Sequence, residues 1–434
     1  MARQHTIASV HLWGKSVGAV AWDEKTGMGE FEFQPSFLKN DWDVAPIKMS
    51  LAEARRGRLF SFPELRNSTT FKGLPGLLAD VLPDRFGNQL INAWLARQGR
   101  APNSMNPIEM LCFIGKRGMG ALSFEPVDPK GPNTATKLEL DSLVGVARQI
   151  LSGRQHFSAN IRDDEEKALS DILKIGTSAG GARAKAVIAF NPLTGEVKSG
   201  QTDAPKGFTH WLIKLDGVAD TQLGVSHGYG RVEMAYHNMA TASEIEMTEC
   251  RLLEENGRAH FMTRRFDRAP GEGKLHVQSF CAMMHYDFND IDAFSYEQLF
   301  QTIRLLKLPY PQWEQMYRRM VFNVMARNCD DHTKNFAFVM DQSGTWRLSP
   351  AFDVCYAYRP GSAWVSRQSL SVNGKREHIT RQDLITVAKA NGIKKPELII
   401  NKIRDVVKKW NHFAEAQKVP SDLRAAIHQT LMPL

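Results

Sequence analysis

Between residues 311 and 353 the sequence carries three patterns whose order leaves few folds open. Trp313, Met316, Tyr317, Met320, Val321, Val324 and Met325 recur at i, i+3, i+4, i+7, i+8, i+11 and i+12, one apolar stripe along a helix over 311–327. That period alone assigns the stripe to core packing rather than to a cofactor. A polar run follows at once: Asn328-Cys329-Asp330-Asp331-His332-Thr333-Lys334-Asn335. Residues 335–340 then read as a strand, Asp341-Gln342-Ser343-Gly344 as a hairpin turn and Trp346-Arg347-Leu348 as the return strand. The hairpin brings Asp353, eighteen residues after Asn335, back beside it.

A chain of 434 residues exceeds one ordinary hydrophobic core, so two or three domains are expected. The hydrophobic share of 43% and charged share of 24% are those of a soluble globular protein. No apolar run approaches the roughly 20 residues of a membrane span. The opening Met1-Ala2-Arg3-Gln4-His5 leads into a strand-like segment rather than a signal peptide, and a cytoplasmic protein is expected. Cys112, Cys250, Cys281, Cys329 and Cys355 are scattered and form no C-x-x-C pair, which suits reduced thiols and supplies no zinc pattern. A net charge of +8 and an isoelectric point near 9.1 permit an acidic partner such as nucleic acid or a nucleotide, but the charge is spread along the chain.

Along the chain, Val10 to Trp13, Val17 to Trp22 and Phe31 to Phe33 alternate as a small antiparallel meander, with Gly14-Lys15 as a tight turn. Leu90, Ile91, Trp94 and Leu95 lie at helical spacing, and Ile114 to Leu122 reads as a glycine-rich structural turn entering a strand. Val127 to Thr134, with two prolines and a glycine, marks the main domain boundary. The expected division is a domain over 1–126, a linker over 127–137, a second part over 138–266 and a third over 267–434. A helix is expected over 138–151 and strands over 186–190, 209–214 and 259–263. Residues 233–255 read as an amphipathic helix, and so do residues 396–413.

The pieces have a common chemistry. Gly176 to Lys185 is a small-residue loop entering a strand, which lets backbone N–H groups approach phosphate, although it lacks the P-loop spacing. Such glycine turns are also common without a ligand. Lys214 ends a strand, as the phosphate-pairing lysine of protein kinases does; most lysines are simply solvated. Asp330 can orient a hydroxyl, Asn335 and Asp353 offer oxygen donors suited to magnesium, and Lys334 can face a γ-phosphate. His332 reads first as a hydrogen-bonded brace for the loop. Asp330 and Asp353 are each also explicable as turn residues. Together the parts run in the kinase order of loop, lysine, hinge, Asp…Asn and Asp.

Four segments carry a resemblance to the HipA family, bacterial serine/threonine kinase toxins of type II toxin–antitoxin systems. Gly73-Leu74-Pro75 through Asp80-Val81-Leu82-Pro83-Asp84-Arg85-Phe86-Gly87 is similar to that family's N-terminal signature. Ser178-Ala179-Gly180-Gly181-Ala182-Arg183-Ala184-Lys185 resembles its S-x-A-G-A-Q-x-K loop, and Asp330 to Asn335 its D-x-H-x-K-N motif. Leu370-Ser371-Val372-Asn373-Gly374-Lys375 is a less specific shared segment.

The resemblance implies an α+β fold, with a small β-rich N-terminal domain before a bilobal kinase-like domain whose C-terminal lobe is all helical. It implies ATP and Mg2+ as cofactors, Asp330 as catalytic residue, and Asn335 and Asp353 as magnesium ligands. Gly180, Gly181, Ala182, Arg183, Ala184, Lys185 and Lys214 would lie along the nucleotide, with Arg264, Arg265 and Phe266 at the adenine hinge and His332 and Lys334 in the catalytic loop. Ser178 corresponds to an inhibitory autophosphorylation serine, where a phosphate's roughly two negative charges would eject the loop. The implied partners are a small HipB-like DNA-binding antitoxin, operator DNA mainly through it, and a protein substrate, an aminoacyl-tRNA synthetase among the family's targets. The chain departs from the pattern at Gly180 (Ala in the family), Arg183 (Gln) and Arg264 (Glu), which touches nucleotide contact rather than catalysis. A non-catalytic nucleotide-binding co-repressor and a small-molecule kinase of the same fold remain as alternatives.

Overall fold

The structure is a computed structural model describing residues 5–126, 140–151, 172, 176, 183–200, 204–218, 228–269 and 273–434. Ser178, Gly180, Gly181, Ala182 and the expected linker over 127–137 lie outside the described residues. The chain divides into two compact units: Met1–Trp42, Leu51–Gly230 and Arg251–His276 form one, and Asp43–Ser50, Arg231–Cys250 and Val277–Leu434 the other.

The first unit contains two antiparallel sheets. In one, the strand order is Met28–Phe33, Lys15–Asp23, Ile7–Leu12, Leu122–Glu125. Alternate residues such as Ala8, Val10 and Leu12 point inward and are buried, as the period-2 pattern requires. The first hairpin turns at Trp13-Gly14, one residue earlier than the Gly14-Lys15 expected. Both have positive φ (49° and 78°), the geometry whose twist matches the flanking strands. Trp13 tolerates it while its indole N–H donates to the Lys274 carbonyl at 2.5 Å. Helix Arg85–Arg97 buries Phe86, Leu90, Ile91 and Leu95. Helix Pro107–Ile114 starts at a reciprocal cap in which Asn106 and Glu109 each accept the other's backbone N–H.

The other sheet of this unit runs Val197–Ser199, Lys185–Phe190, Thr209–Lys214, Arg258–Arg264, Cys250–Glu255. Its register places Lys185 opposite Lys214, and Lys214 opposite Phe261. The expected helix over 233–255 is corrected here. The helix is Tyr229–Ala242, and Cys250–Glu255 is a strand. The cause is Asn256-Gly257, both at positive φ (44° and 74°), a two-residue hairpin turn that pairs Cys250–Glu255 with the strand after it. That turn signal outweighs the apolar spacing of the preceding residues.

The second unit packs helices around one large core. Tyr236 and Trp410 meet edge to face at 5.5 Å, and Phe322, Ile400 and Ile403 are buried with them. Helix Tyr310–Met325 runs through the centre with Met316, Tyr317, Met320, Val321, Val324 and Met325 all buried, the stripe that its spacing predicts. The expected single helix over 396–413 is two, Pro396–Val407 and Trp410–Ala416. The unit also carries a small sheet of His276–Ser279, Ala337–Met340 and Trp346–Leu348, so it is mostly rather than wholly helical. Among the described residues no helix is long and apolar enough to cross a membrane.

Candidate functional site

Helix Tyr310–Met325 ends where Tyr236 donates its hydroxyl to the Ala326 carbonyl at 2.6 Å, and Arg327 turns the chain with φ 55°. The polar loop is then fixed residue by residue. The Asn328 N–H donates to Asn323 O and the Cys329 N–H to Ala357 O, both at 3.0 Å. The Thr333 hydroxyl donates to Tyr286 O at 2.8 Å. Residues Thr333–Asn335 make a single 3-10 turn, and Asn335 turns its Nδ2 back to donate to the Asp330 carbonyl at 2.6 Å. That bond closes the loop and leaves the lone pairs of Asn335 Oδ1 as what this side chain offers a cation. The Asp330 side chain is 49% exposed, with His332 Nε2 at 3.8 Å from its Oδ1. His332 packs on Phe288, ring centroids 5.1 Å apart, and the Lys334 ammonium lies 5.3 Å above the same ring.

Asp331, which motif reading passes over, has the opposite environment to Asp330. It is buried and accepts from the Tyr296 hydroxyl (2.6 Å), Gln368 Nε2 (3.0 Å) and the Ser369 backbone N–H (2.7 Å). Burial pushes its carboxyl up to about 6, and the hydrogen bonds from Tyr296, Ser369 and Gln368 only partly offset that. Cys329 donates its thiol to Gln368 Oε1 at 2.9 Å, and burial pushes that thiol well above its usual range. It is a structural cysteine, as its type suggests.

A recess in this unit is lined by Asn328, Asp331, Asn335, Phe352, Asp353 and the buried Arg319 among others. Asp353 has φ 56°, a left-handed conformation that costs a non-glycine residue free energy and redirects its side chain from an ordinary extended path. The segment before it is held by Arg319 Nη2 donating to Ser349 O at 2.7 Å and by the Ala351 N–H donating to Glu246 O at 2.8 Å. Asn335 and Asp353 thus put an amide oxygen and a carboxylate on one recess. This donor set fits magnesium, which takes one or two protein oxygens and completes its shell with phosphate and water. Among the described residues no three His, Cys, Asp or Glu are grouped to hold a metal by themselves.

The first unit holds the remaining expected residues. Lys185 is buried at the start of its strand, and Lys214 lies directly across from it. The register thus brings the two expected lysines side by side on one face of the sheet. Lys214 Nζ lies 5.8 Å from the Phe261 ring centroid, and Arg183 stacks its guanidinium 4.5 Å above Tyr229. Ala184 is buried, its carbonyl accepting from the Leu215 N–H. Arg264 pairs with Trp211 at the end of its strand, inside the sheet. Arg265 does not present its guanidinium to a hinge. It is buried in a two-bond pair with Asp267 (2.8 and 2.6 Å), while Arg268 reaches the same carboxylate at 2.6 Å. The Gly120 N–H adds a bond at 2.7 Å, and Arg268 also donates to the carbonyls of Gly118 and Gly120. Burial opposes the Asp267 charge, but the two guanidinium groups hold its carboxyl well below the usual carboxylate range. Sequence reading missed this cluster. It gives the glycine-rich turn after Ile114 its structural purpose, and it leaves Arg265 only backbone groups with which to meet a ligand.

Similarity to known proteins agrees with the motifs. The HipA N-terminal domain family matches residues 8–125, and the HipA-like C-terminal domain family matches residues 177–410, more than half of the chain. The Sinorhizobium fredii (strain NBRC 101917 / NGR234) protein named "Putative kinase Y4dM" is 23% identical over 261 residues, 56% of this chain. The alignment spans only 61% of that relative. Among solved structures, a chain of the Shewanella oneidensis MR-1 toxin–antitoxin system HipA, HipB and operator DNA complex matches with a TM-score of 0.66. It covers 97% of this chain and 94% of that one at 16% identity, so it speaks for the fold. The Helicobacter pylori proinflammatory kinase CtkA covers 51% of this chain at a TM-score of 0.32, too distant to carry an argument. The two domain families match in series, and the fold agrees over nearly the whole length: the chain belongs to the HipA family.

Proposed function

We propose that this chain is a serine/threonine protein kinase toxin of a toxin–antitoxin system, transferring the γ-phosphate of ATP to a protein hydroxyl. The observation that carries the reading is the loop closed by the Asn335–Asp330 bond, with Asp353 on the same recess. Asp330, half exposed, accepts or orients the hydroxyl proton of the acceptor. Asn335 and Asp353 would hold Mg2+, which when bound neutralises phosphate charge. Lys214 and Lys185 supply two positive charges for the nucleotide phosphates. Lys334 stays near the loop through Phe288, and His332 braces Asp330 from the side. Arg183, Ala184, Arg264 and Phe266, with the backbone of Arg265, belong to the nucleotide contacts under this reading. So do Gly180, Gly181 and Ala182.

The proposed partner is a small HipB-like antitoxin that carries the chain to operator DNA. The matched Shewanella oneidensis structure, described as a complex of HipA, HipB and operator DNA, supports this. Autophosphorylation at Ser178 is proposed as the off-switch, on the charge argument and the loop resemblance. The domain division over 1–126, 138–266 and 267–434 is proposed with it.

The deciding experiment measures phosphate incorporation from labelled ATP by the wild type and by Asp330→Ala in a cell lysate. Incorporation should fall by roughly 1,000-fold, as expected when a group acting in the transition state is removed. Equal incorporation by the two proteins would sink the reading. Mass spectrometry for phosphate on Ser178, present in the wild type and absent in Asp330→Ala, tests the switch.

A further inference from the structure

We propose that Asp331 is the positioning residue of the reaction, fixing the loop so that the neighbouring Asp330 meets its hydroxyl; this rests on the kinase reading above. Adjacent residues point to opposite environments, Asp330 to solvent and Asp331 into the core. The planar peptide between them couples the two backbones, so that fixing Asp331 restricts where Asp330 can sit.

The grip on Asp331 comes from distant places in the chain. Tyr296 is the first residue of its helix, and Gln368 and Ser369 lie well downstream of Asp353. Each donor is itself held. Asn323 Nδ2 donates to the Tyr296 hydroxyl oxygen and Asn328 Nδ2 to Asn323 Oδ1, both at 3.0 Å. Gln368 Nε2 also reaches Asn328 O at 3.2 Å while its Oε1 accepts from the Cys329 thiol. The Ser369 hydroxyl donates to Cys329 O at 2.9 Å. Residues 328, 329 and 331 are therefore tied to one network, and Asp330 is the member that projects from it.

The hydrogen-bond partners of Asp331, the Leu370 backbone among them, are all donors, so the site selects a carboxylate over its isosteric amide. In Asp331→Asn the N–H₂ takes the place either of Oδ2, where it faces both the Tyr296 hydroxyl and Gln368 Nε2, or of Oδ1, where it faces the Ser369 N–H; either way it meets a donor and the network has to shift. A shift of about 1 Å at a catalytic group costs on the order of 100-fold in rate with substrate binding little changed. A purely structural carboxylate would affect folding and leave the turnover of the folded fraction alone.

The test compares purified full-length wild type, Asp331→Asn and Gln368→Met, the last removing one donor while keeping the side-chain length. The readouts are kcat and KM for Mg-ATP in phosphate incorporation, and hydrogen exchange of the 328–336 amides. Asp331→Asn should lower kcat by roughly 10- to 100-fold with KM within about 2-fold. Exchange should quicken over 328–336 rather than throughout the unit. Gln368→Met should do the same to a smaller degree. Unchanged kcat in Asp331→Asn overturns the proposal. So does a uniform rise in exchange across the unit together with a Gln368→Met variant of full kcat, which marks general destabilisation. A wild type that incorporates no phosphate refutes the kinase reading instead, and hydrogen exchange at 328–336 still decides whether Asp331 fixes the loop.

Discussion

Asp267 in the first unit and Asp331 in the second are both aspartates removed from water, and their surroundings drive them in opposite directions. Asp267 lies between two guanidinium groups, and their charge overcomes the burial penalty. Asp331 is hydrogen-bonded by neutral donors, with the charged Arg376 facing it but not bonded to it, and burial prevails. A charged partner makes a permanent fastening. Neutral donors make a clasp whose strength depends on the proton. The fastening lies under a glycine-rich turn, and the clasp lies one residue from the proposed catalytic group.

The largest effect separating the two is on stability. Asp267→Ala leaves the buried Arg265 and the partly buried Arg268 without their carboxylate and should cost about 3–5 kcal/mol in denaturant unfolding. Asp331→Ala leaves neutral donors unpaired and should cost about 1–3 kcal/mol. Equal losses would break the comparison.

The pH dependence should differ in sign. The folded pKa of Asp267 lies below its unfolded value, so its contribution to stability is present above about pH 4 and fades as the pH falls. The folded pKa of Asp331 lies above its unfolded value, so its contribution is greatest below about pH 4 and declines as the pH rises to about 6. Stability measured from pH 4 to 7 should therefore lose its downward component in Asp331→Asn. If phosphoryl transfer is measured over the same range, kcat should fall below about pH 6, where a proton removes one acceptor from the clasp. Tyr296, Cys329 and Arg376 are the other titratable groups facing Asp331. Tyr296 and Cys329 are both shifted upward and stay neutral in this range, and Arg376 stays charged.

Smaller effects test the frame around each aspartate. Cys329, buried in the clasp with its thiol shifted upward, should resist iodoacetamide in the folded protein, while the half-buried Cys355 reacts first. Mass spectrometry of timed samples reads the order. In the first unit, Gly257→Ala places a side chain at φ 74° with no heavy atom within 4 Å of the added Cβ. Its cost of about 1 kcal/mol should be backbone strain alone, leaving the Asp267 fastening as it was.

Much of the site was readable from the chain. The apolar stripe of the Tyr310–Met325 helix, the polar loop and the hairpin back to Asp353 are consecutive, so local periodicity and turn chemistry set their order. The strand ending at Lys214 was equally local. Residues 233–255 failed because a helical spacing of apolar residues and a strand before Asn256-Gly257 look alike until the hairpin partner is known. The buried ion pair of Arg265 was missed for a related reason. Its nearest carboxylate, Asp267, is two residues on, but only the fold buries the pair and brings Gly118 and Gly120 to it.

What the sequence determined by itself is the set of oxygen and nitrogen groups and their order: Lys185, Lys214, Asp330, Asn335, Asp353. Spacing along one chain is enough for that, because each sits at the end of a helix or strand, or in the short loop after one, that its own neighbours specify. What only the tertiary structure decided is which of two adjacent aspartates faces water. Asp330 and Asp331 are the same residue type in the same motif. They differ because Tyr296, Gln368 and Ser369, drawn from 35 residues before and 37 and 38 residues after, converge on one carboxylate and not the other.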